Sequence, residues 1–534
     1  MHRIVFFTPG SVLNFLLMIM FTILITPVTL SGKNYEVEFK CGVSREVLDY
    51  EDDTSNPVIR GGSSVTLYDS FNFDITTLRN IDNKTSSYTW NINLRDISGF
   101  LNFTAGNYNL HFGSGLMMGK QAYIPKDPFT KKISISKEKT ISPANGGNPE
   151  YSFYGTVFDF HKLTDDAKIY FIPFVSSQRR YITPGSFESG TIDSSIFTLN
   201  SKIRKEGNYT EPVNIINYGC VAGLQASALF NIQIYSFATD IRGDSGKKIR
   251  WDADAYNGGS GISLIRNSGL FAEYADKNIS LFVEPAVSSI SNGITLTDFA
   301  VAWGIGIQNS ILNFAARGKN CGENFHSEYS TGSRTPERIW ETRCGIFPVK
   351  HIETGFIVYG EKNLLPSYHK DYIEGSTEEE VFTAVNTGSS DINLNFKRRE
   401  HYSTDRKDPL DQCNLTAGFS PVDRLYLKFR SSAQKSSGGT SYLAGGDIKL
   451  LFLNYLSLSL GYTRIVINSD MPLYAVITPA TEHSSITPFR ESAHGGSVNF
   501  RYKKERDSFY IRFTTVKTSS GSKGDIESAL TLLF

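Results

Sequence analysis

Apolar and polar residues alternate with a period of two along most of this chain, a pattern that fits strands of a large sheet and little else. In the segment 88–95, Tyr88, Trp90, Ile92 and Leu94 alternate with Thr89, Asn91, Asn93 and Arg95. Leu425, Leu427 and Phe429 alternate in the same way with Tyr426, Lys428 and Arg430. Val498, Phe500 and Tyr502 alternate with Asn499, Arg501 and Lys503, and Phe509, Ile511 and Phe513 with Tyr510, Arg512 and Thr514. Successive side chains of a strand point to opposite faces, so each segment has one apolar and one polar face. In a soluble sandwich the apolar face meets a core and the polar face meets water. In a membrane barrel the apolar face meets lipid and the polar face lines the lumen.

Connection lengths separate these two. Short turns recur at 96–99, 164–167, 229–231, 276–278, around Asn309, at 351–353, 389–391, 421–423, around Asn454, and at 505–507. Longer polar stretches lie between them, at 113–150, 181–212, 240–259, 317–338, 362–380, 400–412, 433–440 and 468–493. This alternation of short and long is the asymmetry of an outer-membrane barrel, with tight periplasmic turns and long surface loops. Ten hairpins, the final strand 525–534 and a further strand at 63–74 give an all-β, closed antiparallel transmembrane β-barrel of about 22 strands, with a range of about 20 to 24 because pattern leaves strand boundaries loose.

Both ends of the chain agree. Ile526, Ser528, Leu530, Leu532 and Phe534 share one face of the last strand. A terminal aromatic closing an amphipathic strand resembles the sorting signal of bacterial outer-membrane barrels, which implies Leu530, Leu532 and Phe534 as the assembly signal and the barrel-assembly machinery as a partner. At the other end, the apolar run Phe15 to Thr26 follows a single early charge, Arg3, with small residues at Thr29 and Ser31, as in a signal peptide over 1–31. A single membrane helix is the alternative there. Residues 32–62 then read as a short periplasmic segment and 63–534 as the barrel. Aromatic residues make up 13% of the chain, with 37 Phe and 27 Tyr, as lipid-facing strands and interfacial girdles require. Charge is balanced at 54 against 54, which gives no ground to expect nucleic acid as a partner.

The run from Phe100 through Gly-Asn-Tyr-Asn-Leu-His-Phe-Gly-Ser-Gly-Leu to Gly119, followed by Tyr154-Gly155-Thr156-Val157-Phe158, resembles a signature of large, poorly characterised outer-membrane barrels of diderm bacteria. The resemblance covers residues 85–180 and implies the same fold and location. Some of those barrels carry helix-hairpin-helix repeats, for which 34–62 offers no fitting segment.

The insertion at 113–149 carries Lys120, Lys126, Lys131, Lys132, Lys137 and Lys139 against Asp127 and Glu138. It is either a constriction loop folded into the lumen or an exposed loop kept soluble by its lysines. Residues opposite the apolar faces give a net-basic lumen wall of Arg95, Lys397, Lys428, Arg430, Lys449, Arg501, Lys503 and Arg512, with Asp159, Asp447 and Glu527 as counterparts. A basic wall attracts anions. Loop carboxylates such as Glu378, Glu379 and Glu380 are the counterweight. Cys321 and Cys344, at the two ends of one surface loop, could close it as a disulfide worth about 3 kcal/mol. No C-x-x-C or C-x-x-H spacing suggests zinc, and no cofactor is implied.

No G-x-S-x-G elbow, H-E-x-x-H helix or P-loop occurs, and Asp159 with His161 is the one acid/base pair on a shared face. The chain reads as a non-enzymatic, porin-like channel or transporter in outer-membrane lipid, for a small solute that is anionic if the basic wall sets selectivity. The alternative is a surface adhesin or structural barrel whose lumen is blocked and whose long loops do the work.

Overall fold

The computed structural model describes strands and turns between residues 35 and 533; outside the described residues lie 1–34, 50–57, 81–85, 125–140, 145–151, 182–211, 244–263, 332–336, 365–373, 469–472, 476–486 and 534, with shorter gaps in a few turns. The signal peptide and Phe534 are therefore outside the description. Strands β1 (Tyr35–Asp49), β2 (Val58–Leu67), β3 (Phe71–Asn80), β4 (Ser86–Ile97) and β5 (Leu101–Leu110) lead into two short segments, β6 (Met118–Lys120) and β7 (Ile141–Pro143). The wall resumes with β8 (Phe153–Leu163), β9 (Ala167–Tyr181), β10 (Pro212–Ala226), β11 (Phe230–Gly243), β12 (Leu264–Ala275), β13 (Ile279–Ser291), β14 (Thr295–Gln308) and β15 (Leu312–Cys321). After the short β16 (Tyr329–Thr331) come β17 (Glu337–Val349), β18 (Ile352–Asn363), β19 (Gly375–Asn386), β20 (Ser390–Ser403), β21 (Arg406–Val422), β22 (Leu425–Ser436), β23 (Gly439–Leu453) and β24 (Leu456–Val466). A small hairpin, β25 (Leu473–Ala475) and β26 (Thr487–Phe489), precedes β27 (Ala493–Lys504), β28 (Asp507–Thr518) and β29 (Ser522–Leu533).

Leaving aside the short segments, 24 strands form one antiparallel sheet. Each pairs with the next, and β1 pairs with β29 from Glu38 opposite Leu533 to Asp49 opposite Ser522, so the sheet closes on itself. Burial is inside out. In β13 the exposed positions include Leu281 and Val283, while Glu284 and Ser288 are fully buried. Phe299, Trp303, Phe356, Val381, Leu394 and Phe396 are exposed; Asn91, Asn217, Asn267, Glu353 and Ser497 are buried. A soluble sheet would reverse that assignment, whereas an even-stranded closed barrel with an apolar outer belt is built for a bacterial outer membrane. No helix among the described residues is long and apolar enough to cross a membrane.

The short turns follow from side-chain chemistry at one end of the barrel. Asp276 Oδ1 accepts hydrogen bonds from the backbone N–H groups of Asn278 and Ile279, at 2.7 and 2.6 Å. Asn309 Oδ1 does the same for Ile311 and Leu312, both at 2.8 Å. Such Asx turns satisfy the backbone where two strands meet. All ten short turns read from the sequence fall within about two residues of a junction between neighbouring wall strands.

Three expectations change. Residues 35–49 and 58–67, placed by the sequence in a periplasmic segment and the start of one strand, form β1 and β2, and the expected strand 63–74 is divided between β2 and β3. Gly61, Gly62, Ser63 and Ser64 leave no apolar alternation there to mark a strand. The expected loops 400–412 and 433–440 belong mostly to paired strands, with Ser403 opposite Arg406 and Ser436 opposite Gly439. Strands that run past the lipid belt are polar on both faces, as a loop is. Glu378, Glu379 and Glu380 accordingly stand in β19.

Candidate functional site: a segment docked in the lumen

After Leu110 the chain leaves the wall and turns inward. Gly113 and Gly115 have φ of 58° and 83°, backbone angles that residues with a Cβ resist. At Gly113 the fit is also steric, since a Cβ would lie 2.7 Å from the Glu284 carboxylate. The segment folds over itself, with Phe112 N–H donating to Met118 O at 3.3 Å and Ala122 N–H to Ser114 O at 2.7 Å.

Glu284, on the inner face of β13, holds this fold in place. It accepts the Ser114 N–H at 2.6 Å, the Ser114 hydroxyl, and the hydroxyl of Tyr235 from β11. Gln233 Oε1 accepts the Gly113 N–H at 2.9 Å. Farther along, Arg317 of β15 donates to Ala122 O while its Nε pairs with Glu341 at 2.7 Å. A second connection joins in. The strand β16 pairs in parallel with β6, and Phe325, just after β15, is buried in the same core.

Packing supplies most of the hold. Phe112, Leu116, Met117 and Met118 are each no more than 2% exposed. They share a core with Tyr108, Phe153, Phe174, Tyr235, Phe237, Phe271 and Phe282 from the inner faces of β5 and β8–β13. Phe112 lies 6.1 Å from Phe174 and 6.3 Å from Tyr235, ring centroid to centroid. Each such side chain contributes about 1.5 to 3 kcal/mol on full burial. This explains the continuous apolar run 169–175 in β9. Ile169, Phe171 and Val175 are exposed on the lipid side, while Tyr170, Ile172 and Phe174 are buried beneath the docked segment.

The rest of the wall is polar and its charge is sorted. Buried carboxylates gather on β17–β19: Lys319 pairs with Glu337 at 2.9 Å, Arg343 with Glu353 at 2.9 Å, and Lys397 with Glu378 at 2.7 Å. Arg343 also lies over the ring of Phe382, 4.8 Å from its centroid. Amides follow: Asn395 donates to Glu380 at 2.8 Å, Asn414 to Asn395 at 2.8 Å, and Gln412 to Asn414 at 3.0 Å. Lys428, Arg430, Lys449, Arg501 and Arg512 come next, on β22–β28, with Arg430 paired to Asp447 at 3.0 Å.

The residues singled out from sequence thus separate. Lys397 and Arg430 face inward but are paired, Arg501 is half-buried, and Arg95, Lys449 and Lys503 are exposed toward the short-turn rim. The side chain of Arg512 and those of Leu530 and Leu532 in β29 are outside the described residues, as are Lys126, Lys131 and Lys132; Lys120 is the last residue of β6. Among the described residues of the insertion, its apolar start is what docks. Cys321 and Cys344 are free thiols, not a disulfide. Cys344 stands opposite Phe314, seven positions along β15 from Cys321, or about 23 Å. His161 Nδ1 lies 3.8 Å from Asp159 Oδ1, and Asn102 donates to the other carboxylate oxygen at 2.8 Å. Glu284, Tyr235, Gln233, Ser114 and Phe325 were not anticipated. The signal that pointed toward them was the run 169–175, apolar on both faces and so covered on both.

No protein-family model matches the sequence, and no curated protein matches it. Among solved structures, the siderophore receptor PirA from Acinetobacter baumannii is similar at 8% identity and a TM-score of 0.46, over 94% of this chain and 81% of that one. The FrpB iron transporter from Neisseria meningitidis is similar at 10% identity and a TM-score of 0.45, over 94% and 82%. The translocation pore of the P pilus usher PapC is similar at 7% identity and a TM-score of 0.42, over 93% and 99%.

Proposed function

We propose that the protein is an outer-membrane channel or transporter for small solutes, with a lumen held narrow by the segment 112–124. The observation that carries this is Glu284, a fully buried carboxylate on the inner wall whose hydrogen bonds go to that segment and to Tyr235. An ionisable side chain at membrane depth is costly and marks a working position more often than a structural one. Solutes pass along the polar side of the lumen, and the basic residues on β22–β28 favour anions there. The closing strand β29 is the part presented to the assembly machinery.

Purified protein in planar bilayers tests this. Small conductance steps are expected, rising severalfold when residues 114–124 are removed. A second reading, a blocked barrel acting through its surface loops, draws on the density of the apolar packing around Phe112. Absence of current from both the intact and the shortened protein overturns the channel in its favour.

A further inference from the structure

Three cation-bearing side chains stand side by side on the outer face of the barrel. Arg464 of β24 is directly opposite His494 of β27, and His494 is directly opposite Lys517 of β28. All three are exposed, on the face that carries Leu460, Tyr462, Val498, Phe500 and Phe513. Opposite side chains of neighbouring strands lie about 5 Å apart, so the row spans about 10 Å. Its members stand eight to ten residues from the short-turn ends of their strands. For strands tilted by about 35 to 45° that is a height of about 20 to 25 Å, the upper edge of an apolar band about 25 Å tall, on the side of the long loops.

No carboxylate position answers them. The row continues to Ala444 on β23 and Ser522 on β29, and the row beneath reads Gly446, Tyr462, Gly496, Thr515 and Gly524. Among the described residues none of the three cations has an ion-pair partner. Elsewhere at the same level charge is matched within the chain: Arg398, exposed on the outer face of β20 eight residues from Ser390, pairs with Glu400 at 3.1 Å and lies 4.0 Å from Asp411. Like charges directly opposite one another are destabilising, so a row that keeps them calls for an anion from outside the chain. Arginine forks onto phosphate oxygens, lysine adds a point charge, and imidazole donates an N–H in either protonation state. The membrane is the source at this depth. Tyr462, 54% exposed, stands between Gly446 and Gly496, and a Cβ at Gly496 would meet only the backbone oxygen of Gly461, at 3.6 Å. Bare backbone on either side of an interfacial ring leaves room for the acyl chain of a lipid whose headgroup rests on the cations above.

We propose that Arg464, His494 and Lys517 form a binding site for the phosphorylated headgroup of an outer-leaflet lipid. The site goes beyond the channel reading and does not depend on it, since a sealed barrel presents the same outer face. Native mass spectrometry on the detergent-solubilised full chain, titrated with diphosphoryl lipid A, phosphatidylethanolamine or inorganic phosphate, tests it. Diphosphoryl lipid A should bind about tenfold or more tighter than phosphatidylethanolamine, whose headgroup carries no net charge. Arg464→Gln and Lys517→Gln should each weaken that binding about fivefold, and together about 25-fold. Arg398→Gln, which removes a cation at the same height that is already paired, should leave it unchanged. An unfolding temperature in detergent equal to that of the unaltered protein certifies each variant, and the single changes carry the comparison if the double variant assembles poorly. Equal binding of the two lipids, or an equal loss from Arg398→Gln, would overturn the site as no more than general surface charge. Inorganic phosphate binding as tightly as the lipid would overturn the lipid as its occupant.

Discussion

The sectors β8–β15 and β22–β28 are built from the same repeating unit and treat their inner faces in opposite ways. In the first, inward positions carry Phe174, Tyr235, Phe237, Phe271 and Phe282, and a segment of the chain covers them. In the second they carry Ser459, Thr463, Ser497 and Asn499, among glycines and cations. The outer faces barely differ, since lipid asks the same of both. A barrel strand thus has one face fixed by the membrane and one free to be specialised, and here about a third of the circumference, eight of 24 strands, holds an internal segment while the polar sector beside it does not.

That contrast is most exposed to test at its best-packed point. Phe112→Ala should cost about 3 to 5 kcal/mol, the range for removing a large buried aromatic. It should appear as a lower temperature for unfolding in detergent and faster protease cleavage after the lysines that follow the docked segment. A negligible effect would mean that the apolar sector does not hold the segment at all. Glu284→Leu comes next. It leaves the Ser114 N–H and the Tyr235 hydroxyl without their acceptor, at about 1 to 3 kcal/mol for each buried group. Frequent current flicker should appear on an otherwise intact barrel, and a steady trace like that of the unaltered protein would count against a latch.

The polar sector should be more forgiving. Asp447→Asn removes the charge from a mostly buried ion pair with Arg430 but keeps an acceptor in place, and should cost about 1 to 3 kcal/mol in stability. Unfolding by urea in detergent, compared with the Phe112 variant, measures that difference between sectors directly. Smallest of all, Lys449→Met should change stability by less than about 0.5 kcal/mol. It should still shift the reversal potential toward cations in a salt gradient, and an unchanged potential would remove Lys449 from the conduction path.

Much of the barrel is legible in the amino-acid sequence, because its turns are written in Asp276, Asn309 and their like, whose side chains act on the next three residues. Where several positions together lack apolar alternation, as at Gly61 to Ser64, a turn after Leu67 is easily missed and two strands read as one. Polar composition misleads in the other direction at 400–412 and 433–440, since strand extensions beyond lipid look like loops. The docked segment is half legible. Gly113 and Gly115 announce a sharp turn after β5, but the lysines draw attention away from the apolar residues Phe112 and Leu116 to Met118 that pack against the wall. Glu284 is invisible for a simpler reason. One carboxylate at an inward position resembles any other, and its partner Ser114 lies 170 residues earlier in the chain. The cysteine pairing fails because nearness to one loop says nothing about height along the wall.

The joint between β1 and β29 gives the molecule a seam unlike its other junctions. Elsewhere in the wall neighbouring strands are also consecutive along the chain or separated by an insertion, but Glu38 finds Leu533 only when nearly all of the chain is in place. Until then a partly assembled sheet presents two open rows of backbone donors and acceptors, free to pair with any passing strand. The seam therefore acts as a completeness check: a chain that stops short of Ser522 leaves an open sheet with nothing to seal it.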